Sequence, residues 1–390
     1  MTPGAVLIAG GGIGGIAAAL TLSGIGWRCR VLERRREASE AGAGIQIGPN
    51  GTRILQRLGI AHILAPMAGV PQSIQMRDGR SGALLAELPL GDWIERRHGA
   101  PYWTAHRADL RAALMSRLVE RGNIEISLRF DVTQIETTTN GVTVHAADGR
   151  VVHGDILVGA DGINSAVRRA TFGSFQLSPT GRVAARAVVA NDKAIMQAFG
   201  HHVGVWLASG MHVVHYPVRG GSEIALVVVT QDTAHPQGWN TSIEALSVLA
   251  KAKDLAPGLL ALLERASLWR QWSLVTAPPL PAWSRGRVAM LGDATQPIMP
   301  FLAQGAVMAM EDAAALGPAL ETEADLASAF AAYETARRSR KQRVQAAAAR
   351  NGKIYHLGGP LAAARNLSLR TIPGARLIAS YDWLYGYRTG

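Results

Sequence analysis

The glycine run Gly10-Gly11-Gly12-Ile13-Gly14-Gly15 constrains this chain more than any other feature, because of what flanks it. The apolar stretch AVLIA (residues 5–9) precedes it, an alanine-rich segment (13–24) follows, and Cys29–Leu32 then leads to Glu33. A short apolar run bounded by glycine reads as a buried strand and the alanine-rich segment as a helix, giving strand–helix–strand. Gly10, Gly12 and Gly15 fit the spacing G-x-G-x-x-G. In that spacing the first glycine makes the turn, the second lets backbone approach a pyrophosphate, and the third lets helix pack on strand. The helix N-terminus at Ile13 and Gly14 then turns bare N–H groups toward phosphate. Glu33, ending the second strand, can accept from both ribose hydroxyls. The competing reading is a tight turn without a ligand, and the motif alone does not separate FAD from NAD.

Two later apolar stretches end in a similar way. In ILVGADGINSAVR (156–168) a strand ends at Asp161-Gly162 and a helix carrying Arg168 follows. Asp161 could accept from a ribityl or ribose hydroxyl. In GRVAMLGDATQP (286–297) the strand Val288–Leu291 ends at Gly292-Asp293. A proline-bounded loop (297–304) then leads to a helix from Gly305 to about Leu320. Its N-terminus, Gly305 and Ala306, would set positive potential beside a bound group. Taken alone, Asp161 reads first as the cap of an ordinary strand-to-helix turn, and the competing reading of Asp293 is another capped turn.

The pattern between these motifs changes to alternation. Val183–Val189, Val203–Leu207, His212–Pro217 and Ile224–Val229 are separated by glycine and polar turns, which predicts an antiparallel sheet. Residues 42–60 read as a glycine-rich loop entering a helix, and Asp109–Arg121 as a helix with Leu110, Leu114 and Leu118 on one face. Strands are expected at Ile124–Leu128, Val142–Ala146, Val151–Val152 and Ile156–Val158. The predicted class is α/β: a Rossmann-type dinucleotide domain interrupted by an antiparallel substrate sheet, with C-terminal helices. The expected partition gives 1–72, 101–180 and 276–320 to the cofactor domain. Residues 73–100 and 181–275 go to the substrate domain, and 321–390 to a helical region that could offer a dimer contact.

Composition removes several alternatives. The single cysteine, Cys29, excludes an intramolecular disulfide and a cysteine-cluster metal site, and suits a cytoplasmic protein. No H-x-x-x-H helix, carboxylate cluster or G-x-S-x-G elbow is evident, so no metal is expected. The uncharged stretch Val6–Gly26 contains seven glycines, follows no basic residue and precedes no cleavage pattern. Neither a membrane span nor a signal peptide is expected there. Of the net charge of +11, nearly all falls in Arg337–Gly390, with eleven Lys/Arg against one acid, Asp382. Arg337, Arg338, Arg340, Lys341 and Arg343 lie within seven residues. Without interleaved aromatic residues this reads as a solvated helix face rather than a nucleic-acid patch.

Taken together and in this order, the three motifs resemble those of the single-component FAD-dependent aromatic hydroxylases, the para-hydroxybenzoate hydroxylase type. The resemblance runs over nearly the whole chain. It extends to AHRADL (105–110), GAGIQIGPN (42–50), HVVHYPVRGG (212–221), LAQGAVMAMEDAAAL (302–316) and YDWLYGY (381–387), and is strongest toward members acting on 3-hydroxybenzoate, 6-hydroxynicotinate and salicylate. It implies FAD held by Gly10, Gly12, Ile13, Gly14, Gly15, Glu33, Arg34, Ile45, Gln46, Arg107, Val132, Asp161, Arg168, Asp293, Gly305 and Ala306. NADH or NADPH would visit a groove, O2 would be consumed, and a small aromatic acid would be hydroxylated by a monomer or homodimer, with no nucleic-acid partner.

The resemblance also assigns catalytic roles to His212 and Tyr216. Residues i and i+4 of a strand share a face about 13 Å apart, enough to bracket an aromatic ring. A histidine there can take a phenol proton and make the ring electron-rich toward an electrophilic oxygen. Tyr216 could orient a hydroxyl or carboxylate. The alternative is a half-buried sheet histidine with a satisfied hydrogen bond. His215 should face away, and His201-His202 reads as a turn pair. Where relatives carry polar residues, this chain has Gln46, Gln296, Pro300 and Phe301. Pro300 and Phe301 would face the substrate, and Ile298–Leu302 would exclude water. These departures leave open an uncoupled NADH oxidase.

Overall fold

The computed structural model describes residues 2–36, 44–173, 176–232 and 239–389. Its first sheet has six strands, in the order Ser284–Arg285, Val288–Met290, Ile156–Gly159, Ala5–Ala9, Arg28–Glu33 and Ile124–Leu128. Every neighbouring pair is parallel except the short Ser284–Arg285 hairpin. Parallel strands buried on both faces need apolar side chains throughout, and Val6, Ile8, Ile156, Val158 and Ala289 are wholly buried. Helix Ile13–Gly24 packs on helix Gly305–Thr322 so closely that a Cβ on Gly14 would lie 2.9 Å from Ala309 Cβ.

The second sheet has eight strands. Their order is Trp239–Ile243, Trp269–Thr276, Ser178–Ala190, Glu223–Gln231, Met211–Val218, His202–Ala208, Ser73–Asp78 and Leu84–Pro89. His202–Ala208 runs parallel to Ser73–Asp78, and the other neighbours are antiparallel. One face packs on the 298–302 loop, where Ala184, Val229 and Leu274 meet Met299 and Phe301. The opposite face buries Trp206, Val213 and Leu226 under helices Ala245–Ala252 and Pro257–Glu264. A three-stranded meander (132–137, 142–146, 151–154) stands apart.

The structure corrects three expectations. Residues 44–47 are not loop: Gly44–Ile47 is a strand paired with Trp103–His106, because Ile45 and Ile47 alternate with Gln46 on a half-buried ribbon. Gly42 and Ala43 of that segment lie outside the described residues. His202 is not in a turn but opens a strand, with its ring 5.2 Å from that of His215. The basic run is not a solvated face. Helix Leu326–Tyr355 buries Arg337, Arg340 and Lys341 on the same stripe as Val344, Ala348 and Asn351. Their charges are met inside by Glu311 and Asp312 of the neighbouring helix.

The C-terminal segment is tied back to the first half of the chain. Arg53 donates to the backbone carbonyls of Tyr385 and Tyr387, and Arg340 to those of Trp383 and Leu384. Tyr385 thereby packs edge-on against Tyr102, ring centroids 5.9 Å apart.

Candidate active site

The motif residues of the first sheet converge on one edge. Gly10, Glu33, Asp161 and Asp293 stand at the carboxyl ends of four adjacent parallel strands. In open α/β sheets that edge is where ligands bind, at the point where strand order reverses. Gly10 has φ +106°, and its Cβ would strike Ala160 O at 2.5 Å. A Cβ on Gly15 would lie 1.9 Å from Gly10 O. Those two positions admit only glycine. Gly12, by contrast, opens on empty space with nothing within 4 Å of a Cβ, as a backbone approached by phosphate requires. Gly12 also caps helix Ile13–Gly24 without a side chain, so the first N–H groups remain for a ligand.

Glu33 accepts from the N–H groups of Gly11 (2.8 Å) and Arg35 (2.9 Å). Asp161 caps helix Ala166–Phe172 through Oδ2, which accepts from Ala166 N (2.7 Å) and Val167 N (3.1 Å). Its Oδ1 is buried without a partner. Burial raises the Asp161 carboxyl, against the Ser165 side chain and the backbone N–H groups, which favour the anion. A buried acceptor with nothing to accept from is costly, and a sugar-chain hydroxyl at that point would satisfy it. The residues present therefore fit a dinucleotide.

The turn bearing Asp293 is held from behind by ion pairs. Lys341 Nζ donates to Gly292 O (2.6 Å), Thr295 Oγ1 (2.6 Å) and Asp312 Oδ2 (3.1 Å). Gly292 N donates to the same Asp312 Oδ2 at 3.0 Å. Burial would raise Asp312, yet Lys341 and Arg337 hold it below the usual carboxylate range. Arg337 bridges Asp312 and Glu311, both at 2.8 Å, and Arg340 joins Glu311 at 3.0 Å. Asp293 itself is part-exposed and raised by desolvation, which Lys341 and Arg107 oppose. Arg168 is buried and ties the two aspartate turns together, donating to Ile163 O (2.6 Å) and Ala294 O (3.1 Å).

The 298–302-facing side of the eight-stranded sheet carries His212, Val214 and Tyr216 in alternation. Across the register they neighbour Val229, Val227 and Ala225, and beyond these Ala184, Arg186 and Val188. His212 is buried against Phe301 (ring centroids 5.5 Å) and Tyr355 (5.3 Å). Burial, with His356 and Arg182 beside it, holds His212 well below its ordinary range, so it is neutral at pH 7. Burial pushes Tyr216 up to about 12, and Arg186 opposes this, so its hydroxyl stays protonated. A Cβ on Gly44 would lie 2.4 Å from the Tyr216 ring, which places Tyr216 against the Gly44–Ile47 ribbon. Gln46 on that ribbon accepts from Tyr102 Oη at 2.7 Å.

The remaining expected residues take definite places. Arg34 is exposed beyond Glu33, Val132 opens the meander, and Ile45 shares the ribbon with Gln46. Arg107 begins helix Arg107–Val119, and Gly305 and Ala306 begin Gly305–Thr322. Pro300 and Phe301 form a single 3-10 turn, with Phe301 covered by the sheet face. His215 faces away, packed on Phe199 and Trp206. Among the described residues no group of three or more ligands could hold a metal, and no helix is long and apolar enough to cross a membrane.

Sequence reasoning missed Arg186 and His356. Arg186 shares the His212–Tyr216 face, stacks over Trp272 at 4.9 Å and leaves Nε buried without a partner. The available signal was the spacing Arg182-x-x-x-Arg186 within an otherwise apolar strand. His356 lies at the far end of the long helix, and no local pattern ties it to His212.

Residues 4–350 match a family described as FAD binding domain. The chain is 35% identical over 387 residues to the 3-hydroxybenzoate 6-hydroxylase of Polaromonas naphthalenivorans, covering 99% of this chain and 96% of that protein. It is 36% identical over 387 residues to the 6-hydroxynicotinate 3-monooxygenase of Bordetella bronchiseptica, covering 98% and 94%. Among solved structures, Klebsiella pneumoniae HpxO complexed with FAD and uric acid matches with a TM-score of 0.86 at 28% identity, covering 96% of this chain and 95% of that one.

Proposed function

The chain belongs to the FAD-binding-domain family, and from that premise we propose that it is a monooxygenase that hydroxylates a small aromatic acid bearing a ring hydroxyl. The substrate class is that of 3-hydroxybenzoate, with salicylate and 6-hydroxynicotinate as the alternatives. The reading is supported above all by the row Asp293, Asp161, Gly10 and Glu33 along one sheet edge, with Asp161 Oδ1 awaiting a donor.

When bound, FAD supplies the redox chemistry, taking hydride from NADH or NADPH and activating O2. The backbone around Gly12 binds the pyrophosphate, Glu33 the ribose hydroxyls, and Asp161 a hydroxyl of the sugar chain. Gly305 and Ala306 present a helix N-terminus, whose positive end favours an anionic ring. On the facing sheet Arg186 binds the substrate carboxylate and Tyr216 orients the ring by donating a hydrogen bond. His212, neutral at pH 7, removes the ring-hydroxyl proton and raises the electron density of the ring. Met299 and Phe301, packed on Ala184 and Val229, keep water from the reacting atoms. Residues 73–100 and 181–275 thus serve the substrate, and the protein acts in the cytoplasm.

The test is to purify the FAD-loaded protein and follow NADH and NADPH oxidation with 3-hydroxybenzoate, salicylate and 6-hydroxynicotinate. At least one should stimulate oxidation and gain one oxygen by mass. Stimulation by none of them would discard the substrate class. The apolar Pro300 and Phe301 favour one other reading, an NADH oxidase, which would release hydrogen peroxide and no hydroxylated product.

A further inference from the structure

His212 does not stand alone. Its Nδ1 lies 2.8 Å from Nε2 of His356, a residue 144 positions away that caps the C-terminal end of helix Leu326–Tyr355. The two rings are 5.0 Å apart at 41°, and Phe301 closes both, edge-on to His356 at 5.9 Å. We propose that His356 is the positioning residue for His212. Its Nε2 accepts the Nδ1 proton of His212 and fixes the tautomer in which His212 Nε2 is bare and basic. The inference rests on the reading of His212 as the base for a ring-hydroxyl proton.

Between two neutral imidazoles an N–H···N bond holds one proton, so the pair has two coupled states. Both rings are neutral at pH 7: burial and Arg182 depress His356 to about 4, and burial first, then His356 and Arg182, depress His212. The helix end chooses between the two states. Nδ1 of His356 is the ring nitrogen nearer its own backbone, and it is buried without a partner. The C-terminal end of a helix carries partial negative charge, which favours an N–H there over a lone pair. A proton on Nδ1 leaves Nε2 bare, so it must accept. His212 then carries its proton on Nδ1, which leaves Nε2 for the substrate. Around the pair, strand Ser178–Ala190 contributes Arg182, the long helix contributes Tyr355, and the strand of His212 contributes Tyr216. Tyr355 and Tyr216 are both raised by burial and stay neutral at pH 7, so among these neighbours Arg182 alone brings charge.

The experiment uses the FAD-loaded enzyme with 15N-labelled histidine, and His212→Gln assigns the resonances. At pH 7.5 His212 should show a protonated Nδ1 and a bare Nε2; this measurement needs no folded variant at position 356. His356→Leu should move the proton to Nε2, leave FAD content unchanged, and lower kcat for hydroxylation about tenfold or more with KM within about threefold. His356→Gln, whose Oε1 can accept at the same place, should restore both tautomer and kcat. Finding Nε2 protonated in the native enzyme, or an unchanged tautomer in His356→Leu, would overturn the proposal. A switched tautomer with undiminished kcat would uphold the positioning and remove His212 as the base, so the functional reading would fail alone.

Discussion

A guanidinium lodged among apolar side chains with one N–H unpartnered is held at a cost until an anion meets it. Arg186 is in that position, stacked on Trp272 and sharing a face with Tyr216 and His212. A charge-assisted bond to a carboxylate contributes roughly 1.5–3 kcal/mol. Arg186→Gln should therefore raise KM for the aromatic acid about 10- to 100-fold. FAD content should not change, because Arg186 lies on the sheet face shared with Tyr216 and His212 and not on the strand ends that carry the glycine and aspartate motifs. Steady-state kinetics over a series of acids reads this, and an unchanged KM would place the carboxylate elsewhere. The contrast with the motif residues shows what sequence exposes at this scale. Gly10, Gly15 and Asp161 were legible because a turn at a fixed offset from a strand demands that residue type. Arg186 and His356 derive their meaning from partners on other strands and helices, and nothing local announces those partners.

At the scale of elements, helix Leu326–Tyr355 inverts the usual assignment of charge. Its inward stripe sets charges among apolar residues, and Arg337, Arg340 and Lys341 face Glu311 and Asp312 rather than water. A dense basic run ordinarily marks a solvated face, and that general rule failed here for a specific reason. Two adjacent acids sit within the apolar stretch AMEDAAAL of the preceding helix, so complementary charges are buried together. That pair of acids was the legible clue. Removing one member of a buried pair costs about 3–5 kcal/mol, because the other charge is stranded. Lys341→Met should cost about 3 kcal/mol in urea unfolding of the apoprotein, toward the low end because Arg337 still meets Asp312. It should also weaken FAD binding, since the Gly292–Asp293 turn loses its tie to the helix. Normal FAD affinity in Lys341→Met would show that the turn keeps its shape without that tie. Other elements were hidden for a simpler reason. Strand Ser73–Asp78 finds its parallel partner at His202–Ala208, and a pairing so distant in sequence leaves no local trace.

At the scale of the whole molecule, the fold is joined around histidines that must remain neutral. His202, His212 and His215 are buried in the eight-stranded sheet, and His356 packs against it from the long helix. Desolvation is the first cause in each case. It depresses His202 and His356 to about 4, and His212 and His215 well below the ordinary value. Unfolded, the same side chains take protons near pH 6.5. Their contribution is therefore complete above about pH 6.5 and is lost as pH falls toward about 4. Each histidine adds a slope of about 1.4 kcal/mol per pH unit within that window. The urea midpoint should be level between about pH 8 and 7 and fall steeply between about pH 6 and 4.5. His215 isolates the effect, because it lies on the sheet face opposite His212 and Tyr216 and both its nitrogens are buried without partners. His215→Leu removes a buried polar ring, so stability at pH 7 should be equal or higher. The acid slope should be smaller by about one proton, with hydroxylation unaffected. An unaltered slope would mean that His215 takes no part in the acid sensitivity of the fold, leaving it to His202, His212 and His356 and to carboxylates such as Asp312, which Lys341 and Arg337 hold below the usual range.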